Sequence, residues 1–241
     1  MTVTDKRVKT GIPGLDEILH GGLINGHNIL VTGCAGTGKT ILCTQFLYQG
    51  AKLYNEPGIL VTLEEMPNEL RKEASLFKWD LKELEEQKKF AIIDAASSKA
   101  GLPTGERFAL RRGFDVNTLA QEIYRTTKEI GAKRVVIDSI AGLGMQFEGT
   151  INIRTAIFRL SALLREINCT SLMTSEVPAG DVFTRYGVEE FIAQGVILLY
   201  LEEESGELKR SLVVRKMRGT SHSLKRYPFE INDDKGIVVM L

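Results

Sequence analysis

Eight consecutive residues carry the densest chemistry in this 241-residue chain: Gly33-Cys34-Ala35-Gly36-Thr37-Gly38-Lys39-Thr40. They complete the pattern G-x-x-x-x-G-K-[ST]. Glycines at 33, 36 and 38 leave backbone N–H groups free of Cβ obstruction, so several can converge on one anion. Lys39 supplies a mobile point charge for β- and γ-phosphates, and the Thr40 hydroxyl is a ligand suited to Mg²⁺. Gly33, Gly36, Thr37, Gly38, Lys39, Thr40 and Ile41 are therefore read as the binding segment, with the positive end of the following helix aimed at the anion. Two acidic features belong beside such a loop. Asp138 closes the apolar run Arg134–Asp138 and has the place of a carboxylate that holds a Mg²⁺ shell; alone it is a weak signal, with a strand-end helix cap as the alternative, and the complete loop favours the metal role. Glu64 and Glu65 end a second apolar run, where a carboxylate can polarise a water attacking a γ-phosphate. Spacing leaves that reading even with a charged helix entry, and does not say which glutamate faces the water.

The elements that must position these groups alternate. Apolar runs at Asn28–Thr32, Gly58–Leu63, Phe90–Asp94, Arg134–Asp138 and Thr170–Ser175 read as strands. Segments with helical period at Gly38–Leu53, Pro67–Phe77, Val116–Ile130 and Arg154–Ile167 lie between them. Four more strands follow: Gly195–Leu201, Lys209–Lys216, Tyr227–Ile231 and Gly236–Met240. This order predicts an α/β fold: a mostly parallel central sheet flanked by helices, with antiparallel strands at the C-terminal end. Lys99–Arg112 has no clean period and reads as a loop or flexible insertion. Ala179–Val188 reads as a loop, and Lys82–Lys89 as a solvated charged face. No internal repeat or linker interrupts the chain, so one domain over residues 1–241 is expected.

Composition narrows the function classes. Lys+Arg and Asp+Glu are both 31, so the net charge is zero, whereas a duplex-coating protein is more often basic. A nucleic-acid partner is disfavoured without being removed. Its best candidate contact is Lys99, Arg107, Arg111 and Arg112. No apolar run reaches the ~20 residues of a membrane span, and Met1–Thr10 lacks the apolar core of a signal peptide. Cys34, Cys43 and Cys169 have neither even number nor CxxC spacing, which points to a reducing cytoplasm rather than disulfides or zinc.

Beyond these motifs, the chain resembles the KaiC-like ATPases, a branch of the RecA/DnaB superfamily of P-loop proteins. The resemblance rests on the entry segment Val8–Gly22, the loop Gly33–Thr40, Glu64-Glu65, Phe77–Leu81, Val136–Ser139 and Arg185–Phe191. Its most specific string is Lys216-Met-Arg-Gly-Thr-Ser-His222, followed by Tyr227-Pro-Phe229. It implies a RecA-like P-loop fold, ATP and Mg²⁺ as ligands, Glu64 and Glu65 as the catalytic pair, and a homo-oligomeric ring of about six subunits with nucleotide between neighbours. Lys216 and Arg218 would be cations reaching a neighbour's γ-phosphate, sharing one face of a regular strand with no acid beside them. Thr220, Ser221, His222, Asn232 and Asp233 would border that nucleotide across the interface. Leu224 stands where the family often has Lys, which leaves part of this contact set open. An ATPase acting as a conformational switch or signalling scaffold is the expected function. A DNA-handling motor or recombinase mediator is the alternative on the same fold, and a nucleotide-binding assembly factor without turnover is a third.

Overall fold

The computed structural model describes residues 6–111, 113–146, 150–177 and 183–241. A short hairpin opens it: β1 (Arg7–Val8) pairs antiparallel with β2 (Leu23–Ile24), with α1 (Leu15–Ile18) between them. Next come β3 (Asn28–Gly33), α2 (Lys39–Leu53), β4 (Gly58–Thr62), α3 (Pro67–Leu76), α4 (Leu81–Glu86), β5 (Phe90–Asp94), α5 (Ala96–Ala100) and β6 (Phe108–Ala109). Then follow α6 (Val116–Ile130), β7 (Arg134–Asp138), a 3-10 segment (Ile140–Gln146), α7 (Thr150–Glu166) and β8 (Thr170–Glu176). The chain ends with α8 (Glu189–Ile192), β9 (Gly195–Glu204), β10 (Glu207–Met217), β11 (Tyr227–Asn232) and β12 (Gly236–Val239).

Ten strands form one sheet in the order β12-β11-β10-β9-β3-β8-β7-β4-β5-β6. From β9 to β6 every neighbour is parallel. From β9 to β12 every neighbour is antiparallel. The mostly parallel sheet with antiparallel C-terminal strands is therefore as the sequence predicts.

The parallel strands are apolar at successive positions because both faces of the sheet are covered. Side chains alternate sides along a strand. Ile29, Val31, Leu60, Val136 and Leu172 pack with Leu42, Phe46 and Leu47 of α2 and with Leu70, Leu81 and Leu84 of α3 and α4. Leu30, Ile59, Val61, Val135, Ile137 and Met173 pack with Leu119 and Ile123 of α6 and with Ile153, Ile157 and Leu160 of α7. Helix α6 shows why its ends fall where they do. Asp115 accepts hydrogen bonds from the N–H groups of Asn117 and Thr118, and Gly131 turns left-handed (φ 67°) at the other end.

Two expectations change. The insertion Lys99–Arg112 is partly ordered: α5 enters it, and β6 adds an edge strand to the free side of β5. Helix α7 starts at Thr150, ahead of the expected Arg154. The charge run Lys82–Lys89 is mostly exposed, as expected; α4 carries it, with Leu84 buried and Asp80 capping its N-terminus. Within Ala179–Val188, residues 179–182 lie outside the described residues, and 183–188 form no helix or strand.

Candidate nucleotide site

The loop between β3 and α2 is shaped by glycine at two decisive places. Gly38, the residue that caps α2, has φ 94°, a left-handed conformation that side chains rarely adopt. Gly33 lies so close to β9 that a Cβ on it would stand 2.5 Å from the Leu199 carbonyl oxygen. Lys39 arches back over the loop, its Nζ donating to the Gly33 and Cys34 carbonyls at 2.9 Å each. Thr37 Oγ1 donates to the Cys34 carbonyl, also at 2.9 Å.

Strand register carries the acids to this loop. Thr62 of β4 lies beside Asp138 of β7, and Gly33 of β3 beside Glu176 of β8. All four therefore meet at the carboxyl edge of the sheet, where open α/β folds place their ligands. Thr40 Oγ1 donates to Asp138 Oδ2 at 2.7 Å, and Thr174 Oγ1 donates to the other oxygen. Both Asp138 oxygens are thus engaged by side chains from neighbouring elements, which favours the metal-shell reading over the helix cap. A hydroxyl and one carboxylate are hard oxygen donors. Among the described residues no cluster of three or more His, Cys, Asp or Glu could hold a metal. A Mg²⁺ here would draw its remaining ligands from water and phosphate oxygens, as that ion ordinarily does, so Thr40 and Asp138 fit it.

The two glutamates have different environments. Glu64 accepts a hydrogen bond from Ser139 Oγ at 2.8 Å. Glu65 is half-buried, and its Oε2 atom is fully buried with no hydrogen-bond partner among the described residues. Burial, reinforced by the negative charges of Glu73, Asp138, Glu69 and Glu64, pushes the Glu65 carboxyl up to about 7. A carboxylate poised near neutrality beside a phosphate loop has the chemistry of a general base. Glu64 is the one held in place.

These groups line one cleft of about 340 Å³, together with Glu73, Glu176, Arg210 and Ile231. Sequence reasoning missed Arg210, whose Nε and one terminal nitrogen both donate to the Gly36 carbonyl at 3.2 Å. Nothing local marks it, because β10 reaches the loop only through its pairing with β9. Ile231 lines the cleft of its own chain and would touch a Cβ on Gly38 at 3.1 Å. Its neighbour Asn232 ends β11 and Asp233 follows it; neither lines this cleft, and β11 and β12 fold back over α2, where Gln45 bonds Ile237.

The profile of the KaiC ATPase family matches residues 8–241. The chain belongs to that family. It is similar to a UPF0273 protein of Methanocaldococcus jannaschii, with 46% identity over 97% of this chain and 96% of the other. A UPF0273 protein of Thermotoga maritima is 47% identical over the same shares. The circadian clock oscillator protein KaiC of Synechococcus elongatus is 40% identical over 94% of this chain, which spans only 43% of that protein. The crystal structure of a KaiC-like protein from Pyrococcus horikoshii superposes with a TM-score of 0.85 at 44% identity, covering 98% of this chain and 99% of the other. Membership makes this KaiC-family chain a P-loop ATPase domain with a RecA-like fold.

None of Lys216, Arg218, Thr220, Ser221 and His222 lines the cleft of its own chain. The expectation of two unpartnered cations on one strand face is corrected. Lys216 Nζ donates to the Glu190 and Ala193 carbonyls at 2.7 Å each, placing its charge at the C-terminal end of α8. Burial lowers its pKa, the Arg218 charge adds to this, and the Glu190 carboxylate opposes it. The register slips between Val214 and Lys216, and β10 ends at Met217. Arg218 therefore sits in a turn, exposed, with no hydrogen-bond or ion-pair partner for its guanidinium among the described residues. Thr220 Oγ1 accepts from Arg7 at 2.7 Å, Ser221 is exposed, and His222 Nδ1 lies 3.1 Å from the Ser223 carbonyl.

A larger cleft of about 610 Å³ lies between α3 and α4, away from this chemistry. Its guanidinium, Arg71, is already held by Glu85 and Glu106, and Lys78 pairs with Asp234. In the insertion, Arg107 pairs with Glu129 and Arg111 donates to the Glu106 carbonyl, while Arg112 lies outside the described residues. Among the described residues no helix is long and apolar enough to cross a membrane.

Proposed function

We propose that this chain binds ATP with Mg²⁺ and hydrolyses it, at a site completed by a neighbouring copy in a ring of about six. The whole chain, residues 1–241, works as one such unit. The observation that carries the reading is the pairing of Thr40 with Asp138 beside Glu65, whose Oε2 has no hydrogen-bond partner among the described residues and whose carboxyl is pushed up to about 7. Lys39 moves from the Gly33 and Cys34 carbonyls to β- and γ-phosphate oxygens. Glu65 takes a proton from water as the water oxygen bonds to the γ-phosphorus, and the bond to the β,γ-bridging oxygen breaks, leaving ADP and phosphate. Thr40 and Asp138 would hold Mg²⁺, which would supply charge neutralisation at the phosphates. Glu64, fixed by Ser139, keeps the strand end in register.

The trans contribution is assigned to Arg218, which is exposed at a strand end with its cation uncommitted. Lys216 anchors the adjoining α8, and Thr220, Ser221 and His222 extend the same rim. Asn232 and Asp233, next to the cleft-lining Ile231, border the nucleotide at the shared interface. Hydrolysis coupled to such packing suits a conformational switch or signalling scaffold, and the free thiols of Cys34, Cys43 and Cys169 suit the cytoplasm. The DNA-handling alternative is less favoured, because Arg107 and Arg111 of the insertion already have partners in their own chain.

Phosphate release from ATP tests this reading, with and without Mg²⁺ and with single-stranded or duplex DNA added. Turnover should require Mg²⁺, ignore DNA and fall roughly 10²–10⁴-fold in a Glu64→Gln, Glu65→Gln double variant. A double variant with native turnover would place the base elsewhere, and strong stimulation by DNA would favour the motor reading.

A further inference from the structure

Lys99 opens the insertion whose sequence predicts a loop with four basic residues. Its side chain instead runs inward. Nζ donates to the Leu63 carbonyl at 2.8 Å, one residue before Glu64. It also lies 6.0 Å from the centroid of the Phe114 ring. A Cβ on Gly142 would stand 2.8 Å from the same Nζ and 3.0 Å from Leu63 Cβ. Burial lowers the Lys99 pKa, and the Glu64 charge opposes that shift. One ammonium therefore sits where α5, the exit of β4, the 3-10 segment after β7 and the entry to α6 come together.

The backbone around the two glutamates has few other restraints. Leu63 N donates to the Asp138 carbonyl at 2.8 Å, and Thr62 Oγ1 donates to the Glu65 carbonyl at 2.5 Å. The Leu63 carbonyl is taken by Lys99. β4 ends at Thr62, and the Leu63 N–H bond to Asp138 is the last that ties it to β7. A lysine that crosses from the insertion to this carbonyl supplies the missing tie, and does so beside the carboxylates whose placement sets the reaction geometry.

We propose that Lys99 is a positioning residue for hydrolysis: it fixes the Leu63–Glu65 segment, and with it the general base, relative to the phosphate loop. This rests on the ATPase reading above. Lys99 bonds the Leu63 carbonyl and lines no part of the nucleotide cleft, so it acts through the strand end and not on nucleotide. Displacing a catalytic group by about 1 Å commonly lowers turnover by up to about a hundredfold.

The test compares the wild type, K99M and K99R for phosphate release at saturating ATP and for equilibrium binding of a fluorescent ATP analogue. K99M should lose roughly tenfold to a hundredfold in kcat with analogue affinity unchanged, and K99R, which keeps a donor of similar reach, should recover most of it. K99M with wild-type kcat, or K99M and K99R equally impaired, would overturn the proposal, as would binding and turnover falling together. Should K99M fail to fold, Gly142→Ala decides: the added methyl displaces the ammonium, so turnover should fall while binding stays, and unaltered turnover would overturn the assignment. Absence of turnover in the wild type would instead strike the ATPase reading itself.

Discussion

Replacing Glu65 with Gln should produce a protein that is a poorer hydrolase and a more stable fold. The fold holds the Glu65 carboxyl at about 7, against an ordinary value of 4.5, chiefly through burial and then through Glu73, Asp138, Glu69 and Glu64. A carboxyl whose pKa is raised by folding favours the folded state least when it is ionised. The penalty is absent below about pH 4.5, grows between there and about pH 7, and is constant above. At 1.36 kcal/mol per pKa unit the ceiling is roughly 3 kcal/mol. Because the side chain is half-buried, solvent screening reduces the expectation to about 1–2 kcal/mol. Glutamine keeps the shape and carries no charge, so it removes that penalty. Urea unfolding of nucleotide-free wild type and Glu65→Gln at pH 8 and pH 5 measures it. The variant should be more stable at pH 8 by about 1–2 kcal/mol, with the difference shrinking several-fold at pH 5. Equal or lower stability at pH 8, or a difference that ignores pH, would refute the placement of Glu65 as a strained, desolvated acid. In the same protein, phosphate release should fall about 10²–10⁴-fold while ATP binding persists.

Other outcomes follow from the same geometry. Wild-type kcat/KM should decline about tenfold per pH unit below roughly pH 7, as protonation removes the Glu65 base; a flat profile down to pH 5 would contradict that role. Lys39→Ala should abolish tight binding of a fluorescent ATP analogue while circular dichroism stays native, Lys39 being the side-chain cation of the loop. Thr174→Val leaves Asp138 without one of its two hydroxyl partners, so the Mg²⁺ concentration giving half-maximal turnover should rise about 10-fold or more. Arg134 is fully buried and bonds Glu56 and the Phe46 and Lys9 carbonyls. Arg134→Met should destabilise by about 3 kcal/mol in urea, with analogue affinity under native conditions unchanged.

Much of the framework was legible because its signals are local. The bounds of β5, α6 and β7 coincide with those read from the sequence, since apolar runs, the Asp115 cap and Gly131 mark them without outside help. The phosphate loop is likewise self-contained. What was not legible depends on partners distant in sequence. Strand β6 exists because β5 offers an open edge, not because Phe108–Ala109 has a strand pattern of its own. Residue type leaves Glu64 and Glu65 alike, and only partners distant in sequence distinguish them: Ser139 engages Glu64, while burial and Glu73 act on Glu65. Arg210 joins the site only through the β9–β10 pairing. The strand argument for Lys216 and Arg218 failed at a register slip beside Arg215, which leaves no mark in residue type, and because β10 ends at Met217, one residue short of Arg218.

The most direct test of the central claim, that hydrolysis occurs at a site shared between two copies, is phosphate release from mixed subunits. A Lys39→Ala chain has no working phosphate loop but keeps Arg218, and an Arg218→Ala chain keeps the loop but lacks the proposed finger. Each alone should be nearly inactive. Mixed under conditions where light scattering shows co-assembly, they should recover partial turnover at interfaces that join an intact loop to an intact Arg218. A co-assembled mixture as inactive as its components would contradict the account and leave Arg218 an ordinary surface residue.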